Sequence, residues 1–309
     1  MGSITGFKAA CCAALLVLTV CGCSIKKVAI NKLGDALAGG GTVFASDDDP
    51  ELVKAAAPFS LKLMESLLAE VPEHRGLLTA ASGGFTQYSY AFVQQEADAL
   101  EAQDIAAALE MRKRARRLYL RARDYALRGI EAAHPGFTKQ LNEDPRTAVR
   151  VLTKQDVPLA YWAAASWGAA IGIIKNNTDL IAQLSVVECL IDRALELDES
   201  YDHGAIDSFL ISYEMVRPDS PDKRTDRARA HFQRALQLTE GRHAGPFVTL
   251  AESVAVPQQN RQEFESLLNR ALAIDAEAKP DWRLVNLLMQ RRARWLLSET
   301  DNLVATTQE

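Results

Sequence analysis

Aromatic residues make up only 7% of the 309-residue chain, and beyond residue 23 a single cysteine, Cys189, remains. One thiol can build neither a disulfide framework nor a thiolate zinc site, both of which need several ligands at set spacing. An excess of positive charge is also missing. The formal net charge is −5, so no global field exists to hold nucleic acid by counterion release, and nucleic acid is not an expected partner.

Long hydrophobic runs are absent too. The N-terminal run, Ala9 to Val20, has 12 residues, whereas a helix crossing a ~30 Å hydrocarbon core needs ~20. With Lys8 before it, the run reads as the apolar core of a signal peptide. Catalytic motifs are missing as well: His74, His134, His203, His231 and His243 are dispersed, and no HExxH, GxSxG, phosphate loop or CxxC lies beyond the leader. The expectation is a protein that is not an enzyme and needs no cofactor or metal. Gly39–Gly41 and Gly83–Gly84 lack the strand-turn-helix setting of a phosphate cradle.

What is present is 48% hydrophobic composition rich in Ala and Leu, enough for a sizeable core and favourable to helices. The apolar run ends Val20-Cys21-Gly22-Cys23-Ser24. An aliphatic residue at minus 3 and a small one at minus 1 precede Cys23, a pattern that resembles the bacterial lipobox. Cleavage before Cys23 leaves Gly22 at the scissile bond, whereas cleavage before Cys21 would place the branched Val20 there. Cys23 is thus the expected lipid acceptor, with an ordinary signal cut as the alternative. Acyl chains at ~0.8 kcal/mol per buried CH2 anchor a protein whose body stays in water. Ser24 rather than Asp after the cysteine, by resemblance to Gram-negative lipoproteins, points to the outer membrane. The organisation expected is residues 1–22 as signal peptide, 23–49 as a tether with one short helix around Asn31 to Leu37, and 50–309 as a helical domain.

Asp49-Pro50-Glu51 reads as a helix start: a capping acceptor, a proline whose missing donor costs nothing at the first position, and an acid at the positive end of the dipole. The stripe Leu52, Ala56, Phe59, Leu63 and Leu67 predicts the buried face of that helix, with Pro58 kinking or restarting it. Leu77, Ala81, Gly84, Tyr88 and Phe92 predict a second. Gly83-Gly84 costs ~1 kcal/mol each against Ala, so a close helix approach is expected there. A third helix, from about Asp104 to Ala133, holds eight basic residues between Arg112 and Arg128 with Asp124 the only acid, a local charge of +7. Ala115, Leu118, Tyr119, Ala122, Tyr125 and Ala126 share its apolar face. The arginines either pair with acids on neighbouring helices or face an acidic partner, and Arg117 and Arg121 are the partner-binding candidates.

The C-terminal half repeats. Arg193-Ala194-Leu195-Glu196-Leu197-Asp198 recurs 41 residues on as Arg234-Ala235-Leu236-Gln237-Leu238-Thr239, and 36 further on as Arg270-Ala271-Leu272-Ala273-Ile274-Asp275. Ala228-x3-Phe232-x2-Ala235 has the small-large-small pattern of the second helix of a tetratricopeptide repeat. The fold class expected is all-α, a tetratricopeptide-like helical-pair solenoid.

Several segments carry a more specific resemblance: Ser46-Asp47-Asp48-Asp49-Pro50-Glu51-Leu52-Val53, Leu63-Met64-Glu65-Ser66-Leu67-Leu68, Tyr161-Trp162-Ala163-Ala164-Ala165-Ser166-Trp167-Gly168, Phe209-Leu210-Ile211-Ser212-Tyr213-Glu214 and Leu250-Ala251-Glu252-Ser253-Val254. Together they resemble the TatT family, the T-component lipoproteins of some TRAP (tripartite ATP-independent periplasmic) transporters. The resemblance implies a periplasm-facing, lipid-anchored homotrimer that docks the substrate-binding P component. It also implies passage of a small organic-acid or hydrophobic ligand. A generic tetratricopeptide scaffold for envelope assembly is the competing expectation. Tyr88, Trp162, Trp167, Tyr213 and Phe247 are candidate ligand-lining rings, with core packing as their alternative. Glu252 and Arg261 are candidate orienting groups, with a solvent-facing ion pair as theirs.

Overall fold

The computed structural model describes residues 27–39, 41–173, 183–217 and 221–305, and among these there is no strand. The all-α expectation holds. Residues 27–39 form α1, longer than the short helix expected around Asn31 to Leu37. It lies close because Gly34 leaves room: a Cβ there would stand 2.8 Å from Leu77 and 2.9 Å from His74. Cys23 and the preceding leader lie outside the described residues, as does most of the Pro218–Pro221 loop.

After α2 (Gly41–Ala45), Asp49 caps α3 (Pro50–Glu70), its Oδ1 accepting from the amides of Glu51 and Leu52 at 3.0 Å each. Two expectations for α3 are corrected. The helix continues through Pro58 and does not restart there. Its core face is Val53, Leu61 and Leu68, while Leu52 is 58% and Phe59 74% exposed. The two stripes lie about one residue, or ~100°, apart on the wheel, and both are apolar. Tertiary contact to α4 selects the stripe of Val53, Leu61 and Leu68, not the one expected.

The next helix, α4 (Arg75–Ser89), passes through a π-helical turn (Tyr90–Gln94) into α5 (Gln95–Leu100). The glycine pair permits the close approach expected: a Cβ on Gly83 would stand 2.9 Å from the Trp162 ring, and one on Gly84 2.8 Å from Leu61. The basic helix α6 (Ile105–Glu131) is capped by Asp104 and buries Ala115, Tyr119, Ala122 and Ala126 as its pattern required.

Short α7 (Phe137–Glu143) and α8 (Pro145–Ala148) lead to α9 (Val157–Gly172), an almost wholly buried helix against α4 and α6. The repeated Arg-Ala-Leu motif then falls on the same kind of element each time: α10 (Leu184–Leu197), α12 (Arg224–Thr239) and α14 (Arg261–Leu272). The alanine of each copy, Ala194, Ala235 and Ala271, is fully buried at a helix contact. Between them stand α11 (Ala205–Tyr213) and α13 (Ala244–Leu250), the latter continuing into a second π-helical turn (Ala251–Ala255). Helices adjacent in the chain pack against one another: α9 on α10, α11 on α12, α13 on α14.

The last long helix, α15 (Arg283–Ser298), followed by α16 (Thr300–Leu303), returns to the first. Arg291 pairs with Glu51 at 3.1 Å and donates to the Ala91 carbonyl at 2.8 Å, and Arg283 donates to the Ser46 carbonyl at 2.9 Å. The N-terminal and C-terminal helices are thereby held together.

Candidate functional site

The basic run on α6 divides into two populations. Arg112 is held by Asp98 at 2.9 Å and Glu101 at 2.7 Å, Lys113 by Glu110 at 2.7 Å, and Arg123 by Asp124 at 2.7 Å. These serve the fold. Arg117 and Arg128 form no hydrogen bond or ion pair through their side chains among the described residues, and the Nε and Nη2 of Arg128 are buried without an acceptor.

Arg117, Leu120, Arg121, Asp124, Tyr125 and Arg128 line an open groove of about 500 Å³. Its floor is aromatic: Tyr125 stacks on Phe85 with centroids 5.9 Å apart, Arg121 lies 5.4 Å over the Phe85 ring, and Arg128 5.4 Å over Tyr125. Such cation–ring contacts hold the guanidinium planes without consuming their N–H donors. On the α3 side, Glu65 accepts from Tyr125 Oη at 2.7 Å and faces Lys62 Nζ at 2.5 Å and Arg121 Nη1 at 3.4 Å. Burial opposes the charge on Glu65, yet Lys62, Tyr125 and Arg121 hold its carboxyl below the usual range. Burial and the Glu65 carboxylate push the Tyr125 phenol up to about 12. Glu65 is thus charged and committed, leaving Arg117 and Arg128 as the groove's unneutralised cations.

A second polar cluster joins the two π-helical turns. Arg292 of α15 reaches Glu252 at 2.6 Å and Asp98 at 3.1 Å, and lies 4.3 Å over the Trp295 ring. Tyr90, the first residue of one π turn, faces the same group, and burial together with Glu252 pushes its phenol well up. An extra residue in a helical turn re-aims side chains, and here both turns aim a polar group at Arg292.

The ring-bearing candidates are dispersed over packing contacts. Tyr88 tilts against Phe92 at 5.8 Å, and Trp162 against Tyr161 at 4.8 Å. Trp167 donates Nε1–H to Gln183 at 2.8 Å beneath Arg123. Tyr213 donates its hydroxyl to the Leu184 carbonyl at 2.9 Å and stacks on Phe209. Phe247 meets Phe232 edge-on at 5.4 Å. Glu252 pairs with Arg292, while Arg261 pairs with Glu265 at 2.8 Å and Asp301 at 2.7 Å. The structure brings Arg117 and Arg121 into one groove and does not gather the seven ligand candidates into one site. Arg128 and Glu65 complete the groove without having been singled out. Arg128 sits in the counted basic run, but nothing in the sequence marks it as the residue without a partner.

Among the described residues no cluster of His, Cys, Asp and Glu could hold a metal ion, and no helix is long and apolar enough to cross a membrane. Burial pushes the half-buried Cys189 thiol up, away from nucleophilic thiolate.

Residues 46–304 match the model of the family described as TRAP transporter T-component. An uncharacterized protein of Treponema pallidum (strain Nichols) is 33% identical over 305 residues, spanning 93% of this chain and 94% of its own.

Proposed function

The chain belongs to the TRAP transporter T-component family, and from that membership we propose that it is a lipid-anchored accessory subunit that docks the periplasmic substrate-binding P component of such a transporter. The match over residues 46–304 carries this reading. The lipobox-like sequence ending at Cys23 supports anchoring, with a periplasm-facing body and, from Ser24, the outer membrane. Residues 1–22 are then the removed leader, and the body from residue 50 is a tetratricopeptide-like solenoid of helix pairs. The groove holding Arg117 and Arg121 supports docking of an acidic surface, since the unpaired Arg117 and the exposed Arg121, which meets Glu65 only at 3.4 Å, can steer and orient an anionic partner.

Assembly as a homotrimer is part of the same reading. Leu52 and Phe59 on α3, with Ile105 and Leu109 on α6, leave large apolar side chains uncovered in the single chain, and such surface is what a second copy covers. Passage of a small organic-acid or hydrophobic ligand completes it, with Tyr88, Trp162, Trp167, Tyr213, Phe247, Glu252 and Arg261 as the residues to vary. Co-purification tests the reading. The full-length chain extracted from membranes should retain a co-expressed P component, and acyl labelling should vanish in Cys23→Ser but not in Cys21→Ser. Recovery of envelope-assembly proteins with no P component would instead favour a scaffold.

A further inference from the structure

We propose that the outward face of α1 lies on an anionic lipid surface, the one in which acylated Cys23 is anchored. On the helical wheel Ile30, Gly34 and Leu37 turn to the body: Gly34 is buried, and Ile30 and Leu37 pack against the core. Val28, Ala29, Lys32, Leu33 and Ala36 fill an arc of about 140° on the other side. All five are exposed, Val28 by 52% and Leu33 by 49%. A helix with water on its outer side carries charged residues there, as α6 does with its arginines. On α1 the outer side is instead four apolar residues around one lysine, the pattern of a helix lying in a membrane interface.

Reach and charge both point to lipid as what covers this face. Only Ser24, Ile25 and Lys26 separate Cys23 from the start of α1 at Lys27, so peptide steps of at most ~3.6 Å keep its first turn within about 14 Å of the acylated residue. Lys27 and Lys32 are exposed and form no ion pair among the described residues. Asp35, the only acid between 27 and 39, stands at the edge of the face beside His74 Nε2 at 3.2 Å. The segment is thus basic in a chain whose net charge is −5, and an anionic surface attracts it while repelling most of the rest. Each lysine close to such a surface strengthens association about fivefold. The acyl chains make that association intramolecular, so a small patch suffices.

The helix is itself fastened to the body. His74 caps α4, its Nδ1 accepting from the Leu77 amide at 3.2 Å, which leaves Nε2–H to donate to the Asn31 carbonyl of α1 at 3.2 Å. Lipid contact along α1 therefore holds the body in one orientation instead of leaving it on a free tether. The inference rests on the anchoring reading only for which surface lies within reach.

Quenching of tryptophan fluorescence by brominated phosphatidylcholine is the test, on the full-length protein extracted from membranes and reconstituted into vesicles. Leu33→Trp places a reporter on the outward face, and the signal of the four native tryptophans is subtracted with the unsubstituted protein. In phosphatidylcholine–phosphatidylglycerol vesicles the added tryptophan should be quenched, and in phosphatidylcholine alone about threefold less or weaker still. Lys27→Glu/Lys32→Glu in the same background should cut quenching in the anionic vesicles by about threefold or more. The acyl chains should keep this variant in the vesicle pellet, and its Tm should stay within a few degrees, because neither lysine holds a partner in the fold. The proposal is overturned by a reporter that stays unquenched in acylated protein, by quenching indifferent to lipid charge or to the double variant, or by a loss of quenching that comes with a large drop in Tm. Emission shifted to the blue without quenching would mean that a second copy or another protein covers the face, and also overturns it. Mass spectrometry of the N-terminal peptide reads the anchor separately. Cys23 without acyl groups, with quenching on added anionic vesicles as described, refutes the anchoring reading alone, whereas acylated Cys23 without quenching refutes only the lipid contact of α1.

Discussion

Gly83 on α4 and Trp162 on α9 are fitted to each other, with the indole 2.9 Å from where a Cβ on Gly83 would stand. Alanine would gain ~1 kcal/mol of helix propensity but must displace a ring packed between two helices, at a cost of about 1–3 kcal/mol. Gly83→Ala should therefore destabilise the protein by up to about 2 kcal/mol in denaturant titration. Gly84→Ala meets only the flexible end of Leu61 at 2.8 Å and should cost less. Equal effects would contradict this packing account.

Glu214 is 1% exposed and holds Arg217 at 2.6 Å and Arg227 at 2.5 Å, with Glu188 of α10 also reaching Arg217 at 3.4 Å. Removing the one buried charge on which two guanidinium groups converge should cost about 3–5 kcal/mol. For a domain of this size Glu214→Leu should lower Tm on the order of 10 °C. A shift of a degree or two would mean that water replaces the carboxylate at little cost.

His243 lies under Trp282, with ring centroids 5.7 Å apart, and its Nδ1 is buried without a partner. Burial lowers its pKa to about 4, and the positive potential of His203 and Lys279 acts in the same direction. In the unfolded chain the ring titrates near ~6.5, so between these values the unfolded state binds more protons. Stability should be intact above ~6.5 and fall as pH drops towards 4, by at most about 3 kcal/mol. Asp156 does not contribute in this window. Burial works against its charge, but Thr153, His134 and Arg75 hold its carboxyl below the usual range, so its contribution is lost only under ~3.9. Melting curves from neutral to acidic pH on wild type and His243→Gln test this, and a steep loss retained in the variant would place the responsible group elsewhere.

The exposed Phe59, at 74%, offers the sharpest probe of assembly. A soluble chain beginning after Cys23 should sediment as a trimer, and Phe59→Glu should shift it towards monomer without loss of helicity. A wild type that stays monomeric at micromolar concentrations would count against the trimer.

Local patterning made much of the fold legible. Asp49-Pro50-Glu51 specified a helix start through capping geometry alone, and the Arg-Ala-Leu repeats marked three equivalent helices because a small residue must sit at each helix contact. The face of α3 was not legible, since two apolar stripes one residue apart are equally periodic and only α4 decides between them. The π-helical turns at Tyr90 and Ala251 also left no local trace. They place Tyr90 and Glu252, residues far apart in the chain, at the same Arg292. In the groove, charge count found the basic helix, but which arginines stay unpaired depends on where Asp98, Glu101 and Glu65 arrive from neighbouring helices.

The central claim, that this T-component docks a P component through the basic face of α6, is tested most directly by association kinetics. The rate with purified P component should be measured at low and high salt, alongside Tm, for wild type and Arg117→Glu/Arg121→Glu. Both residues lie off the buried face, though Arg121 also meets Glu65 at 3.4 Å, so the double variant should associate at least tenfold more slowly at low salt, converge on wild type as salt rises, and lower Tm only by the few degrees that loss of the Arg121–Glu65 pair costs. An unchanged rate with a clearly lowered Tm would assign these arginines to the fold, and no detectable association of wild type would contradict the docking role itself.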